Sequence, residues 1–139
     1  MGVLIDASIL IEYERGSFDP RALAQDRLVG REEEPFYLSV VTASELLHGV
    51  HRAGQPARRA RRSAFVEAVL SQFPILDIGT PVARVHAALW AELAAAGTPV
   101  GAHDLWLAAT AVSHGLALAT ANRREFDRVP GLSVEAWTA

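Results

Sequence analysis

Val3-Leu4-Ile5-Asp6-Ala7-Ser8 is an apolar run that stops on a carboxylate and a hydroxyl, and an amphipathic segment begins directly after it. A short continuous apolar run reads as a strand covered on both faces, so Asp6 stands where a buried strand ends. In open α/β sheets the crevice beyond the carboxyl ends of the strands is where ligands bind. Asp6 alone would serve equally well as a cap for the helix that follows. Its meaning depends on whether other acids reach the same crevice.

Working outward from that run, strands and helices alternate. Ile9 to Arg15 reads as a short helix closed by Gly16, and Asp19-Pro20 as an N-cap with proline at the first position of a helix to about Val29. The acidic link Glu32-Glu33-Glu34 leads to Phe36-Tyr37-Leu38-Ser39-Val40, whose aromatic and β-branched content predicts a strand. Thr42 or Ser44 then caps a helix that carries Glu45 in its first turn and breaks at Ala53-Gly54-Gln55-Pro56.

Ala57 to Phe73 is a longer helix, and Ile75 to Ile78 a short strand. Thr80-Pro81 repeats the cap-and-proline signal before a helix with Val82, Val85, His86, Leu89, Trp90 and Leu93 on one stripe, where His86 reads as a packed core residue. A loop through Thr98-Pro99-Val100-Gly101, in which His103 is read as a loop residue, precedes an alanine-rich helix from Ala102 to His114 that begins with Asp104. Leu116 to Ala119 is the next strand, Arg123 to Arg128 a turn or two of helix, and Leu132 to Ala136 the last strand. The predicted architecture is a three-layer α/β/α sandwich around a mainly parallel sheet, forming a single domain over residues 1–139.

Composition narrows the chemistry. Half of the 139 residues are apolar, yet no run approaches the ~18 apolar residues of a membrane span, and no signal peptide is evident, so the chain reads as soluble and cytoplasmic. It contains no cysteine, which excludes disulfides, thiolate metal sites and a cysteine nucleophile. A net charge of −3 argues against a protein that merely coats nucleic acid, although local basic patches could still hold a phosphate backbone. Every basic residue outside the histidines is arginine. Arg58, Arg59, Arg61 and Arg62 crowd a helix start, against its dipole, and read either as a solvated face or as a contact for RNA or an acidic partner.

Three carboxylates share one structural description: Asp6 ends a strand, and Glu45 and Asp104 open helices. In a parallel sheet, strand C-termini and the N-termini of the helices that follow lie on one edge, and Asn122, after the Leu116–Ala119 strand, reaches that edge too. Such a cluster of like charges needs a cation, and oxygen donors without cysteine point to Mg²⁺ or Mn²⁺.

The stretches Leu4-Ile5-Asp6-Ala7-Ser8-Ile9-Leu10-Ile11, Ser39-Val40-Val41-Thr42-Ala43-Ser44-Glu45-Leu46, His103-Asp104-Leu105-Trp106-Leu107-Ala108-Ala109-Thr110-Ala111 and Ala119-Thr120-Ala121-Asn122-Arg123-Arg124-Glu125-Phe126 resemble, in order, the successive motifs of the PIN-domain family. The closing Val129-Pro130-Gly131-Leu132 and Trp137 fit as well, and the resemblance is closest to the VapC-type toxins of bacterial toxin–antitoxin pairs.

The resemblance implies a Mg²⁺- or Mn²⁺-dependent endoribonuclease whose ligands match Asp6, Glu45 and Asp104, with the fourth position on Asn122, where many members carry aspartate. Asparagine removes a charge and weakens any second metal. Glu125, three residues on, is a reserve ligand. Ser8 and Thr120 are expected to orient the acids as hydroxyl partners. The resemblance further implies RNA as substrate, a homodimer, and a VapB-type antitoxin whose C-terminal segment occupies the acidic site, for which apolar residues from Leu46-Leu47 through Val50 would suit as a groove.

Two other readings compete. A haloacid-dehalogenase-type phosphatase needs a second acid two residues after Asp6, where Ser8 stands. A catalytically silent PIN-like module that binds RNA or a partner is favoured only by Asn122.

Overall fold

The computed structural model describes the chain except residues 18, 20, 138 and 139. Its elements run β1 (Val3–Ile5), α1 (Ala7–Ser17), a π-type helical segment (Ala24–Leu28), β2 (Phe36–Ser39), α2 (Val40–Arg52), α3 (Pro56–Gln72), β3 (Ile75–Leu76), α4 (Thr80–Ala96), α5 (Ala102–His114), β4 (Ala117–Thr120), α6 (Arg123–Phe126) and β5 (Ser133–Ala136). The strands form one sheet of order β3-β2-β1-β4-β5 in which every neighbouring pair is parallel. From the central β1 the chain winds outward through β2 and β3, then returns to the other side through β4 and β5. The topological switch therefore falls between β1 and β4, where a crevice opens at the strand C-termini.

Period-two alternation along β1 divides the interior into two cores. Val3 and Ile5 pack with Ile9, Leu10, Leu38, Phe65 and Val69 on the side covered by α1, α2 and α3. Leu4 packs with Val82, Leu89, Leu105, Leu107 and Leu118 on the side covered by α4 and α5. This is the three-layer α/β/α architecture expected from the alternation of elements. Ala108, Ala109 and Ala111 are fully buried, so α5 lies close against its neighbours. Gly97 and Gly115 end α4 and α5 at φ of 71° and 66°, a backbone conformation that a Cβ disfavours.

The boundaries differ from the sequence reading where helix follows strand without a loop. α1 starts at Ala7 and runs through Gly16, which therefore does not close it. Ser39, the last residue of β2, is itself the cap of α2: its hydroxyl accepts from the Val41 amide at 3.1 Å. Thr42 and Ser44 are thus inside α2, and Glu45 stands in its second turn rather than its first.

Gly79, not Thr80, precedes α4, and Thr80 is already helical. His103 belongs to the first turn of α5 rather than to the loop. Asp19 accepts the Arg21 amide at 2.9 Å, while the proline of the proposed Asp19-Pro20 start lies outside the described residues. Trp90 does not join the buried stripe of α4: it is 63% exposed. His86 does join it, stacked on Trp106 with ring centroids 3.6 Å apart, and burial lowers its pKa below the ordinary imidazole value.

Candidate active site

At the switch point, β1 delivers Asp6 and β4 delivers Thr120. Asp6 is buried, and its backbone amide donates to the Ala119 carbonyl at 2.9 Å, which extends the β1–β4 ladder by one bond. Its carboxylate Oδ2 accepts two hydroxyls, Ser8 Oγ at 2.7 Å and Thr120 Oγ1 at 2.8 Å. Those hydroxyls are held in turn by amides of the segment leaving β4: Ala121 N donates to Ser8 Oγ at 3.1 Å, and Asn122 N to Thr120 Oγ1 at 2.9 Å. Oδ1 takes no part in these bonds. A buried carboxylate gripped on one oxygen by two hydroxyls, each itself held by a backbone amide, is fixed in direction as well as position.

The two remaining acids come from helices. Glu45 on α2 is half-buried, and its Oε1 stands 3.4 Å from His103 Nδ1 on α5. Burial raises the pKa of Glu45 above the ordinary carboxylate value, and Asp6 and Asp104 add to the rise, while His103 opposes it. Asp104, in the first turn of α5, is raised by burial, by Asp6 and then by Glu125. Asp6, Glu45, Asp104 and Glu125 thus act on one another across the crevice as like charges. Among the described residues, however, no three acidic or imidazole groups are already gathered at coordinating range of a common point.

Asn122 is exposed at the start of α6 and its side chain makes no capping bond there. Glu125, one turn on, is half-buried and faces Asp104 electrostatically. The donors on offer are therefore carboxylate and amide oxygens, the set suited to a hard divalent cation rather than to a soft one. Glu45, Asp104 and His103 line the mouth of a cavity of about 670 Å³ that continues between α1 and α2 past Ile11 and His48 to Arg52.

Within the basic cluster at the start of α3, two arginines make intramolecular contacts. Arg62 Nε pairs with the buried Glu14 at 2.6 Å, and its Nη1 donates to the Gly49 carbonyl at 3.1 Å. Arg59 donates through Nε and Nη2 to the Ala53 carbonyl beyond the end of α2. Both fasten α3 to its neighbours; Arg58 and Arg61 remain exposed. Leu46 is buried in the core, so of the Leu46-Leu47 pair only Leu47 faces outward.

Sequence reasoning missed the His103–Glu45 contact because it read His103 as part of a loop. It also missed Arg52 as a residue of the crevice. Arg52 follows Glu45 by seven positions, the spacing that returns to the same helical face, and that signal was available.

Comparison with known proteins gives the same fold. The sequence model of the PIN domain matches residues 3–132. Ribonuclease VapC1 of Rickettsia felis is 36% identical over 134 residues, covering 96% of this chain and 95% of that protein. The tRNA(fMet)-specific endonuclease VapC of Salmonella typhimurium is 40% identical over 100 residues, covering 72% and 74%. A crystal structure of DNA-bound VapBC from Salmonella typhimurium superposes with a TM-score of 0.84 at 31% identity, over 99% of this chain and 98% of that one.

Proposed function

Because the chain belongs to the PIN-domain family, and within it to the VapC ribonucleases of toxin–antitoxin pairs, we propose that it is an endoribonuclease that depends on Mg²⁺ or Mn²⁺. The observation that carries the reading is the direction imposed on Asp6. Two hydroxyls hold one of its oxygens, and the pKa values of two further acids are raised by burial first and by repulsion from Asp6 second. That repulsion is the property a bound cation would relieve.

Asp6 and Asp104 are the residues that would hold the ion directly, with Glu45 and Asn122 reaching it directly or through water and Glu125 in reserve. A bound Mg²⁺ or Mn²⁺ would supply Lewis acidity and lower the pKa of an attached water, the nucleophile for in-line attack on phosphorus. Ser8 and Thr120 keep Asp6 aimed into the crevice and leave Oδ1 outside their own bonds. His103 Nδ1, 3.4 Å from Glu45 Oε1, opposes the rise in the pKa of Glu45. The switch-point crevice opens to solvent beyond Glu45 and Asp104, so a strand of RNA can lie across it without a lid.

The partners follow from the relatives. A VapB-type antitoxin fits the same crevice, since a guanidinium from such a partner would satisfy the carboxylates in the ion's place. A homodimer acting in the cytoplasm on cellular RNA completes the reading; no helix among the described residues is long and apolar enough to cross a membrane. Initiator transfer RNA, named for one relative, is the first substrate to try. A silent binding module is the alternative that Asn122 favours, because one charge is missing from the set.

The test is cleavage of total bacterial RNA and of purified initiator transfer RNA by protein freed of antitoxin, with Mg²⁺, with Mn²⁺ and with chelator, beside Asp6→Asn. Discrete metal-dependent fragments absent from the variant are expected. Folded, antitoxin-free protein that cuts neither RNA with either metal would move the assignment to the silent module.

A further inference from the structure

Two arginines of this chain have no structural employment yet share a groove with the acids. Arg15 lies in the last turn of α1 and Arg52 in the last turn of α2, and both are exposed. Neither makes a hydrogen bond or ion pair among the described residues. The helix dipole favours a cation at each of these ends, but that does not explain why both side chains open onto one depression. The cavity lined by Glu45, Asp104 and Arg52 joins a second one of about 280 Å³ lined by Arg15, Arg62 and Glu14, and the two have Ile11, Glu45, His48 and Arg52 in common.

The register of the two helices makes this a directed groove. Arg15 follows Ser8 by seven positions on α1, and Arg52 follows Glu45 by seven on α2, so each arginine lies on the face of its helix that begins at the acids. At about 1.5 Å of rise per residue, each stands roughly 10 Å along its helix from the acidic end. That is the reach of one or two nucleotides of extended single strand. Glu14, the acid that would repel a phosphate there, is already neutralised by Arg62 at 2.6 Å. Past Glu45 the groove therefore changes sign, from carboxylates that want a cation to guanidiniums that want an anion.

We propose that the α1–α2 groove is a phosphate track for single-stranded RNA, with Arg52 and Arg15 holding the backbone one or two nucleotides away from the bond positioned at Asp6 and Asp104. The proposal rests on the nuclease reading of the acidic crevice and names the residues that position its substrate. Arginine suits the role because its planar fork takes two phosphate oxygens at once. An acidic protein segment is the competing occupant. The sign change favours RNA over it, since such a segment would meet Glu45 and Asp104 at the far end of the same groove.

The test is binding of a short fluorescent single-stranded oligoribonucleotide of mixed sequence to the full chain in chelator, across a range of salt concentration. Arg52→Ala and Arg15→Ala are each expected to weaken binding about fourfold at physiological salt and to flatten the log–log salt slope by ~0.7. Arg52→Lys should keep most of the affinity, which a merely structural role would not predict. Arg84→Ala, an exposed arginine on α4, should leave binding unchanged. With metal added, Arg52→Ala should raise KM for RNA while kcat at saturation holds.

Parent-like binding by Arg15→Ala and Arg52→Ala would overturn the track. So would an equal loss in Arg84→Ala, which would mean diffuse attraction, or a loss of binding to an acidic peptide without a loss for RNA. The two readings separate cleanly. Cleavage that depends on metal and Asp6 but not on the arginines leaves the nuclease standing and the track overturned. Arginine-dependent RNA binding without cleavage does the reverse.

Discussion

Asp6 and Glu45 arrive at one crevice under opposite regimes. Asp6 leaves a central strand, is buried, and has a carboxylate oxygen gripped by Ser8 and Thr120, which are themselves gripped by the next two amides. Glu45 leaves the second turn of a helix, is about a third exposed, and stands 3.4 Å from His103 Nδ1. One acid is fixed by the sheet, and the other is free to adjust. The difference divides the crevice into a half whose carboxylate is set by hydrogen bonds at the sheet edge and a half, Glu45, Asp104 and Asn122, which under the proposed function a bound cation would draw together.

The strongest way to break the comparison is to remove a charge from each half. Asp6→Asn and Asp104→Asn should each lower RNA cleavage by about 10³-fold or more, as loss of a principal charge at a reacting centre does. Their folds should respond differently. Asp104→Asn removes a carboxylate that the native state already penalises, so the metal-free variant should melt slightly above the parent in thermal denaturation at neutral pH. Asp6→Asn puts an amide into a cluster built to donate to a carboxylate and should not gain.

Next in size is the fixed half's support. Thr120→Val leaves Asp6 with one hydroxyl instead of two and should weaken Mn²⁺ affinity by ~10–100-fold in calorimetric titration. His103→Ala, the corresponding loss beside Glu45, should change it by no more than about threefold, because an exposed contact of this kind contributes little. If both substitutions weakened binding equally, the division into a fixed and an adjustable half would fail.

A pH series sharpens the same division. The pKa values of Glu45 and Asp104 are raised in the fold, so the native state binds protons more readily than the unfolded chain. Their contribution to stability is complete below the unfolded values of 4.5 and 3.8 and is lost as pH rises through the elevated folded ones. Metal-free protein should therefore lose this contribution between weakly acidic and neutral pH, while saturating Mn²⁺ removes the loss. Glu45→Gln should flatten the metal-free dependence. The smallest effect is expected at Asn122: Asn122→Asp should tighten Mn²⁺ about twofold by adding a charge, and Asn122→Ala should weaken it by a similar factor.

The sequence made the layers and the edge legible because both rest on periodicity and chain order. The apolar runs at Val3–Ile5 and Ala117–Thr120 carry no polar face, and a strand covered on both sides is their simplest account. Ends of elements were harder to read. Phe36 to Arg52 passes from strand to helix with no turn residue between them, so the cap was sought at Thr42 or Ser44 when Ser39 was already filling it. Trp90 was assigned inward by spacing alone, yet the buried places on α4 belong to Val82, His86, Leu89 and Leu93.

The contact of Arg62 was hidden for a related reason. A run of like charges suggests a surface, and only the tertiary fold shows that Glu14, 48 positions earlier, waits beneath Arg62. Glu14 itself gave no sign of burial in a helix that otherwise alternates charge and apolar residues. Long-range ion pairs of this kind leave no local pattern in a sequence, whereas the seven-residue steps from Ser8 to Arg15 and from Glu45 to Arg52 do.

The bond from Thr120 to Asp6 joins residues 114 positions apart, and β1 takes its second neighbour, β4, only from that same late segment. During synthesis the ribosome releases β1 early, and Asp6 then waits without its hydroxyl partner while α1 to α5 are made. Contacts of such high sequence separation close last. A nascent or prematurely terminated chain that lacks β4 thus carries all three acids but neither the hydroxyl nor the strand that fixes Asp6. On the ribonuclease reading proposed above, finishing translation would therefore be the step that arms the site.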